Sequence, residues 1–285
     1  MNILYCAKQS KGQNDNEGAV RHALSELGHH VTAVEESQAA AEWHQHCHEN
    51  HDLLLFQNWK SPPNIADAPF PRVLWYFDRV EGGIPPSSAN TRREWMRHVL
   101  PMTTAAYCTD GDWAASNNLR HLMQGADERQ CSPPGTQKDI DILFVGNARG
   151  HSPERAQFVS HMRDRYGDRF VHIHRYFGKR LAHYVQRSRI VIAPPTPVTD
   201  RYFSNRIYIM LGLGAFLLHQ QSALAASQYR DGEEIVFYNG LDDLHDKIDY
   251  WLQRDTGDIA EQGYLRTLRE HTYRHRLEVI LRDME

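Results

Sequence analysis

"SNRIYIMLGLGAFLLH", Ser204 to His219, is the most apolar stretch of this 285-residue chain; it opens on a polar, cationic triplet and carries Gly212 and Gly214 near its middle. Crossing a membrane takes about 20 consecutive apolar residues, and this run stops at His219-Gln220-Gln221. The stretch therefore reads as a buried helix followed by a buried strand. Tyr202 to Leu213 carries the helix, Gly214 ends it as a left-handed C-cap, and "AFLLH" is the strand. Ser204, Asn205 and Arg206 then fall in the helix's first turn. Unpaired N–H groups and the positive end of the helix dipole suit a phosphate there, and arginine adds a planar donor fork. The plainer reading is an N-cap by Ser204 with a surface ion pair.

Working outward, short apolar runs alternate with amphipathic stretches along the whole chain. "NILYCA", "HVTAVE", "DLLLFQ", "RVLWYF" and "AAYCT" read as strands, then "DERQCSPPGTQKD" interrupts with Pro133, Pro134 and Gly135. A second series follows: "DILFVGN", "RFVHIH", "RIVIAP", "AFLLH" and "EIVFYN". Strands alternating with helices imply βαβ units and parallel sheets. The expected fold is α/β, two doubly wound Rossmann-like domains facing a cleft. Residues 1–130 would form the first, 131–138 a linker, 139–270 the second, and 271–285 a closing helix.

Net charge is −4, which argues against general affinity for nucleic acid while leaving room for a local basic patch. The four cysteines, Cys6, Cys47, Cys108 and Cys131, have no metal-type or disulfide-framework spacing. The apolar run at the N-terminus is short and is followed by Lys8 and Lys11, the wrong order for a secretory signal. A soluble, cytoplasmic protein without a membrane span is expected.

A second loop suited to phosphate is "ILFVGNARGHS", Ile142 to Ser152. A buried strand ends at Val145, Gly146 and Gly150 permit close backbone approach, and Ser152-Pro153 starts a helix. The spacing is not the glycine fingerprint of dinucleotide-binding folds, which disfavours a nicotinamide-dependent oxidoreductase. Both loops sit at carboxyl ends of strands in the same half, where one nucleotide can meet both.

"DILFVGNARGHSPER", "SRIVIAPP", "YFSNRIYIMLGLGAFLLH", "DGEEIVFYNGLDDLHDKIDYWL" and "HTYRHRLEVIL" follow, in order, the C-terminal pattern of CgeB-like glycosyltransferases. That family is similar to spore-maturation proteins and has the GT-B fold. The resemblance covers Asp141 to the C-terminus well and the first half in outline. It implies a nucleotide-sugar donor, UDP-linked, bound by the C-terminal domain as co-substrate with no further cofactor or metal, and an acceptor bound by the N-terminal domain. Gly146, Asn147 and Arg149 would approach the diphosphate or sugar, Ser204, Asn205 and Arg206 would hold the diphosphate, and Tyr208 would pack behind them. Ile209 stands where many GT-B enzymes carry a ribose-gripping glutamate, so the nucleotide is left open.

An inverting transfer needs a base for the acceptor hydroxyl. Asp78, after "RVLWYF", is the first candidate, with an Asx-turn or helix-cap aspartate as its plain alternative. Asp110, after "AAYCT", is the second; Asp15, in the loop after the first strand, would touch acceptor. Of two DxD patterns, Asp139-Ile140-Asp141 precedes its strand, and Asp112 reads as the N-cap of a helix starting at Trp113. "WHQHCHENH" places His44, His48 and His51 on one helical face beside Cys47; exposed histidines are the favoured reading over a metal site. Trp75 reads as core, and Trp59, beside "KSPPN", as an exposed surface for acceptor. Arg92, Arg93 and Arg97 around Trp95 form a cationic patch able to track phosphates, with the aromatic filling the gap of a flipped base. The acceptor is thus a glycan, protein or small-molecule hydroxyl, or a hydroxymethylated base in duplex DNA. The rival from another class is a non-catalytic nucleotide-sugar-binding protein.

Overall fold

The computed structural model describes residues 1–9, 16–81, 84–148, 153–193 and 199–284. It divides into two compact units, Met1–Gln124 with Tyr273–Glu285, and Gly125–Thr272. Each is built on a parallel sheet covered by helices, the two Rossmann-like halves expected from the alternating pattern.

In the first unit, β1 (Asn2–Ala7), β2 (His30–Glu35), β3 (Leu53–Phe56), β4 (Arg72–Tyr76), β5 (Ala105–Cys108) and β6 (Arg120–His121) pair in the order β2-β1-β3-β4-β5-β6. All pairings are parallel. The pleat sorts the side chains onto two faces. Leu4, Cys6, Leu54, Phe56, Leu74 and Tyr76 join one core with α2 (Glu36–His48), α3 (Pro86–Val99) and α4 (Gly111–Ser116). Ile3, Tyr5, Leu55, Val73 and Trp75 join the other with α1 (Asn16–Glu26) and the last helix of the chain, Tyr273–Arg282. That closing helix is fastened to the first unit: Asp283 accepts hydrogen bonds from Tyr107 and Arg120, both at 2.6 Å.

The second unit holds β7 (Ile140–Val145), β8 (Phe170–Ile173), β9 (Ser188–Ala193), β10 (Leu217–Gln220) and β11 (Val236–Tyr238), all parallel in the order β11-β10-β9-β7-β8. One face packs on α5 (Pro153–Tyr166) and α9 (Gly240–Trp251) through Val159, Met162, Leu244 and Ile248. Between them in sequence run α6 (Gly178–Arg187), α7 (Arg206–Gly212) and α8 (Ala223–Gln228); α10 (Gly257–Glu270) follows, and Tyr273–Arg282 is α11. Residues 131–138 lie inside this unit as a packed strap. The Ser132 N–H donates to Gly212 O, and the Gly214 backbone approaches Pro133 and Pro134 so closely that a Cβ there would stand 2.4 Å from Pro134 N.

The opening stretch resolves as helix then strand, with shifted ends. α7 starts at Arg206, four residues later than expected, because the carbonyls of Ser204 and Asn205 accept the first helical N–H groups. Its end is a Schellman turn: Gly214, at φ +73°, donates to Leu211 O, and the Ala215 N–H reaches Met210 O. Among the described residues, no helix is long and apolar enough to cross a membrane.

Candidate functional site

In an open parallel sheet, ligands bind beyond the carboxyl ends of the strands where the strand order reverses. In the second unit that point lies between β7 and β9. The residue after β7 is Gly146, and its role differs from expectation. Its N–H is taken by Ile173 O and its carbonyl accepts from His172 Nε2 at 2.7 Å, so its own amide does not face a ligand. What the missing side chain provides is room. A Cβ would stand 3.1 Å from the Phe144 ring and 3.5 Å from Nη1 of Arg206.

The first-turn amides of α7 are likewise occupied. Arg206 N–H donates to Ser204 Oγ at 3.4 Å, while those of Ile207, Tyr208 and Ile209 reach the carbonyls of Ser204 and Asn205. Ser204 and Asn205 therefore shape the turn, and the N–H groups expected to be bare for a phosphate have partners within it, which leaves the Arg206 side chain. Tyr208 is fully buried behind it, its hydroxyl bonded to Gln228 and its ring beside Phe203, Tyr229 and His271.

Arg206 is the unusual group. It is partly buried, and among the described residues no carboxylate pairs with it. Burial, and next the like charge of Arg155, push its pKa down to about 10, with Tyr202 acting in the opposite sense. Arg155, in the first turn of α5, donates to Asn147 O at 3.3 Å, and burial lowers its pKa too. Arg155 was not singled out from the sequence. Its signal was there, a cation one turn into the helix that follows a glycine loop. It also lines a cavity of about 440 Å³ formed by α5, Gln220, Tyr238 and the start of α9. Two cations within each other's field, with no carboxylate on Arg206 among the described residues, are an arrangement that favours an anion. Arg149, Gly150 and Ser152, from the same loop, lie outside the described residues.

In the first unit, the carboxyl edge of the sheet separates the two acid candidates. Asp78, two residues beyond β4, keeps 47% of its side chain exposed; Asn58 donates to it at 2.8 Å and Arg92 Nη2 stands 3.7 Å away. Asp110 is wholly buried. Its carboxylate accepts from the N–H groups of Val80 (2.9 Å), Glu81 (3.1 Å) and Trp113 (3.2 Å), with Arg79 Nε at 4.0 Å. Asp110 is the N-cap of α4, the role expected of Asp112, and both of its oxygens are engaged by backbone N–H groups. Asp15 lies outside the described residues.

The aromatic and cationic acceptor candidates also change character. Trp59 is 1% exposed, locked edge-on against Trp43 and Phe56, with its carbonyl accepting from the Trp95 indole at 2.7 Å; the expected exposed platform is core. Trp95 itself stacks on Tyr76. Arg92 and Arg93 turn back onto the loop after β4, where Arg93 meets Glu81 at 2.9 Å and Arg92 approaches Asp78. Asp139 and Asp141 pair with Arg187 and Arg169, away from the carboxyl edge. Gln57, missed from sequence, sits at the first unit's own reversal point between β1 and β3, 2% exposed with neither amide atom hydrogen-bonded among the described residues.

No curated protein matches the chain. Among solved structures, HepE from Anabaena, in complex with UDP and glucose, is similar at 11% identity and a TM-score of 0.65, covering 99% of this chain and 100% of that one. Sucrose-phosphate synthase from Thermosynechococcus elongatus follows at 11% identity, TM-score 0.64, and coverage of 99% and 98%. AviGT4, a glycosyltransferase involved in avilamycin A biosynthesis, is similar at 12% identity, TM-score 0.63, and coverage of 99% and 96%. At these identities the likeness concerns the fold, which is GT-B. Residues 133–282 match the family described as Glycosyl transferase-like. That match spans more than half of the sequence, and the chain belongs to the Glycosyl transferase-like family, on the two parallel-sheet, Rossmann-like units of a GT-B glycosyltransferase.

Proposed function

We propose that the protein transfers a sugar from a nucleoside-diphosphate sugar to an acceptor hydroxyl, in the manner of CgeB-like enzymes, with the diphosphate received by Arg206 and Arg155. The observation that carries this reading is Arg206 itself, a cation in an unfavourable place with no carboxylate partner among the described residues. As the glycosidic bond breaks, negative charge grows on the leaving diphosphate, and preorganised cations stabilise that charge more than they stabilise the bound donor. Gly146 leaves space for the guanidinium, and the cavity beside Arg155 gives part of the donor somewhere to lie. A UDP-linked donor is supported by HepE, a protein of the same fold seen with UDP-glucose. Positive charge from two arginines serves in place of a divalent ion, so added magnesium or manganese should not change the rate.

Asp78 is the proposed base for an inverting transfer, being the acid at the carboxyl edge with exposed oxygens. The ion pairs of Arg92 and Arg93 support an uncharged acceptor, a glycan, protein or small-molecule hydroxyl. Duplex DNA would have to win those arginines from Asp78 and Glu81. Thermal-shift screening against nucleoside diphosphates and nucleotide sugars, followed by a donor-hydrolysis assay, tests the proposal. Stabilisation by a donor with hydrolysis supports it; stabilisation without any turnover assigns a non-catalytic binding protein. Binding to hydroxymethylated duplex that weakens steeply with salt would transfer the acceptor to DNA.

A further inference from the structure

The helix α2 was expected to present His44, His48 and His51 on one face. The structure groups the histidines differently. His44 and His48 are exposed and lie against each other, ring centroids 4.6 Å apart. His46, at the end of α2, and His51, two residues before β3, instead turn inward onto Glu49. His46 Nδ1 lies 3.0 Å and His51 Nε2 2.9 Å from the same carboxylate oxygen. We propose that His46, Glu49 and His51 form a zinc-class divalent cation site at the amino end of β3, on the opposite edge of the first unit's sheet from Asp78.

Three observations carry it. First, the donor atoms converge, all within 4.8 Å of one another. Tetrahedral zinc with ligand bonds of about 2.0–2.1 Å separates its ligand atoms by about 3.3 Å, so the ion asks each nitrogen to move roughly 0.4 Å out from the shared oxygen and the two nitrogens, now no more than 4.8 Å apart, to settle at that same spacing. Second, the two imidazoles are held in place before any ion arrives. Their side chains are 9% and 5% exposed, and His51 packs edge-on against Phe70 at 5.7 Å. Glu49, at 37%, leaves a face open to water for the fourth position.

Third, the far nitrogens are short of partners. With both near nitrogens donating to Glu49, neutral rings leave His46 Nε2 and His51 Nδ1 as acceptors, and both are buried without a hydrogen bond among the described residues. A cation on the near nitrogens reverses the tautomers and places N–H on the far ones. The His46 Nε2–H then points toward the Glu42 carboxylate, 3.7 Å away, and Gln45 already holds the second oxygen of Glu49 at 3.2 Å. Metal-bound histidines characteristically donate their other N–H to a carboxylate in this way. Two imidazoles and one carboxylate are a donor set for zinc rather than for magnesium or calcium. Placed where α2 hands over to β3, the ion would fasten that connection and take no part in transfer.

The experiment uses the full chain, with zinc chloride titrated against a chromogenic chelator and cobalt(II) as a spectroscopic probe. One zinc per chain, with micromolar or tighter affinity and the visible bands of four-coordinate cobalt, is expected. His51→Gln and Glu49→Gln should weaken binding by about 100-fold or more, Glu42→Gln by about 10-fold. The His44→Gln/His48→Gln double variant should bind as the parent does. Glu49, the most exposed ligand, keeps the test valid if a histidine variant fails to fold. Parental affinity in Glu49→Gln, loss in the His44/His48 variant instead, or absence of zinc binding would each overturn the proposal.

Discussion

Replacing Arg206 by methionine separates a catalytic cation from a structural one. An arginine in an ion pair stabilises the fold, and its loss lowers the melting temperature. Among the described residues Arg206 has no carboxylate partner, and burial and Arg155 depress its pKa from 12.5 to about 10. That depression corresponds to ~3 kcal/mol of unfavourable environment for the cation. The sign is fixed: a lowered cation pKa costs stability fully at neutral pH, and the cost is relieved only as pH rises through about 10. Arg206→Met, similar in length and apolar, should therefore melt at or above the parent temperature. Activity should move the other way. Loss of one preorganised donor at the leaving diphosphate costs roughly 2–4 kcal/mol in the transition state, a fall in kcat of about 30- to 900-fold. The assay is release of nucleoside diphosphate from donor, with a thermal melt run in parallel. The parent should also gain stability from saturating nucleoside diphosphate, about 2.7 kcal/mol at a hundredfold excess over Kd, and the variant should lose most of that gain. Turnover within a few-fold of the parent, or a melting temperature lowered by many degrees, would refute the reasoning.

The two acids of the first unit should part company. Asp78→Asn should abolish transfer while keeping donor affinity in a binding titration; an active Asp78→Asn would point to retention without a protein base. Asp110→Ala should cost stability, about 2–4 kcal/mol in denaturant melts, because it strips a cap and leaves three N–H groups without their acceptor. Gly214→Ala should destabilise by about 3 kcal/mol or more, since it combines φ +73° with a Cβ 2.4 Å from Pro134 N; a melt close to the parent's would show that the strap yields. His219 is 1% exposed, and burial lowers its pKa to about 4 against the favourable bond to Gln220 O. It is neutral in both states above pH 6.5, and the unfolded chain takes the proton first below that. The protein should lose ~3 kcal/mol as pH falls from 6.5 to about 4, and His219→Gln should flatten that slope in pH-dependent melts.

What could be read from sequence, and what could not, follows from the range over which each residue's environment is set. Strands buried on both faces of a parallel sheet are continuous apolar runs, so "DLLLF" and "RIVIA" announce themselves locally. Gly214 is also local, because a left-handed residue after a helical run has few other uses. The errors lie where the deciding neighbour is remote. Trp59 looks exposed beside lysine and prolines, yet Trp43, sixteen residues earlier, and Trp95, thirty-six later, enclose it. Asp78 and Asp110 end neighbouring strands, and only the return of the Val80–Glu81 backbone onto Asp110 tells the cap from the exposed acid. Arg155 reads as one more charge in a solvated helix until Arg206 is brought within its field from the far side of two strands. The same logic bears on the cation proposed to receive the donor. Several surface arginines meet carboxylates, as Arg93, Arg169 and Arg187 do. A guanidinium within the field of another cation, with no carboxylate paired to it among the described residues, favours a counter-ion from outside the protein, and the function proposed above makes that counter-ion the diphosphate.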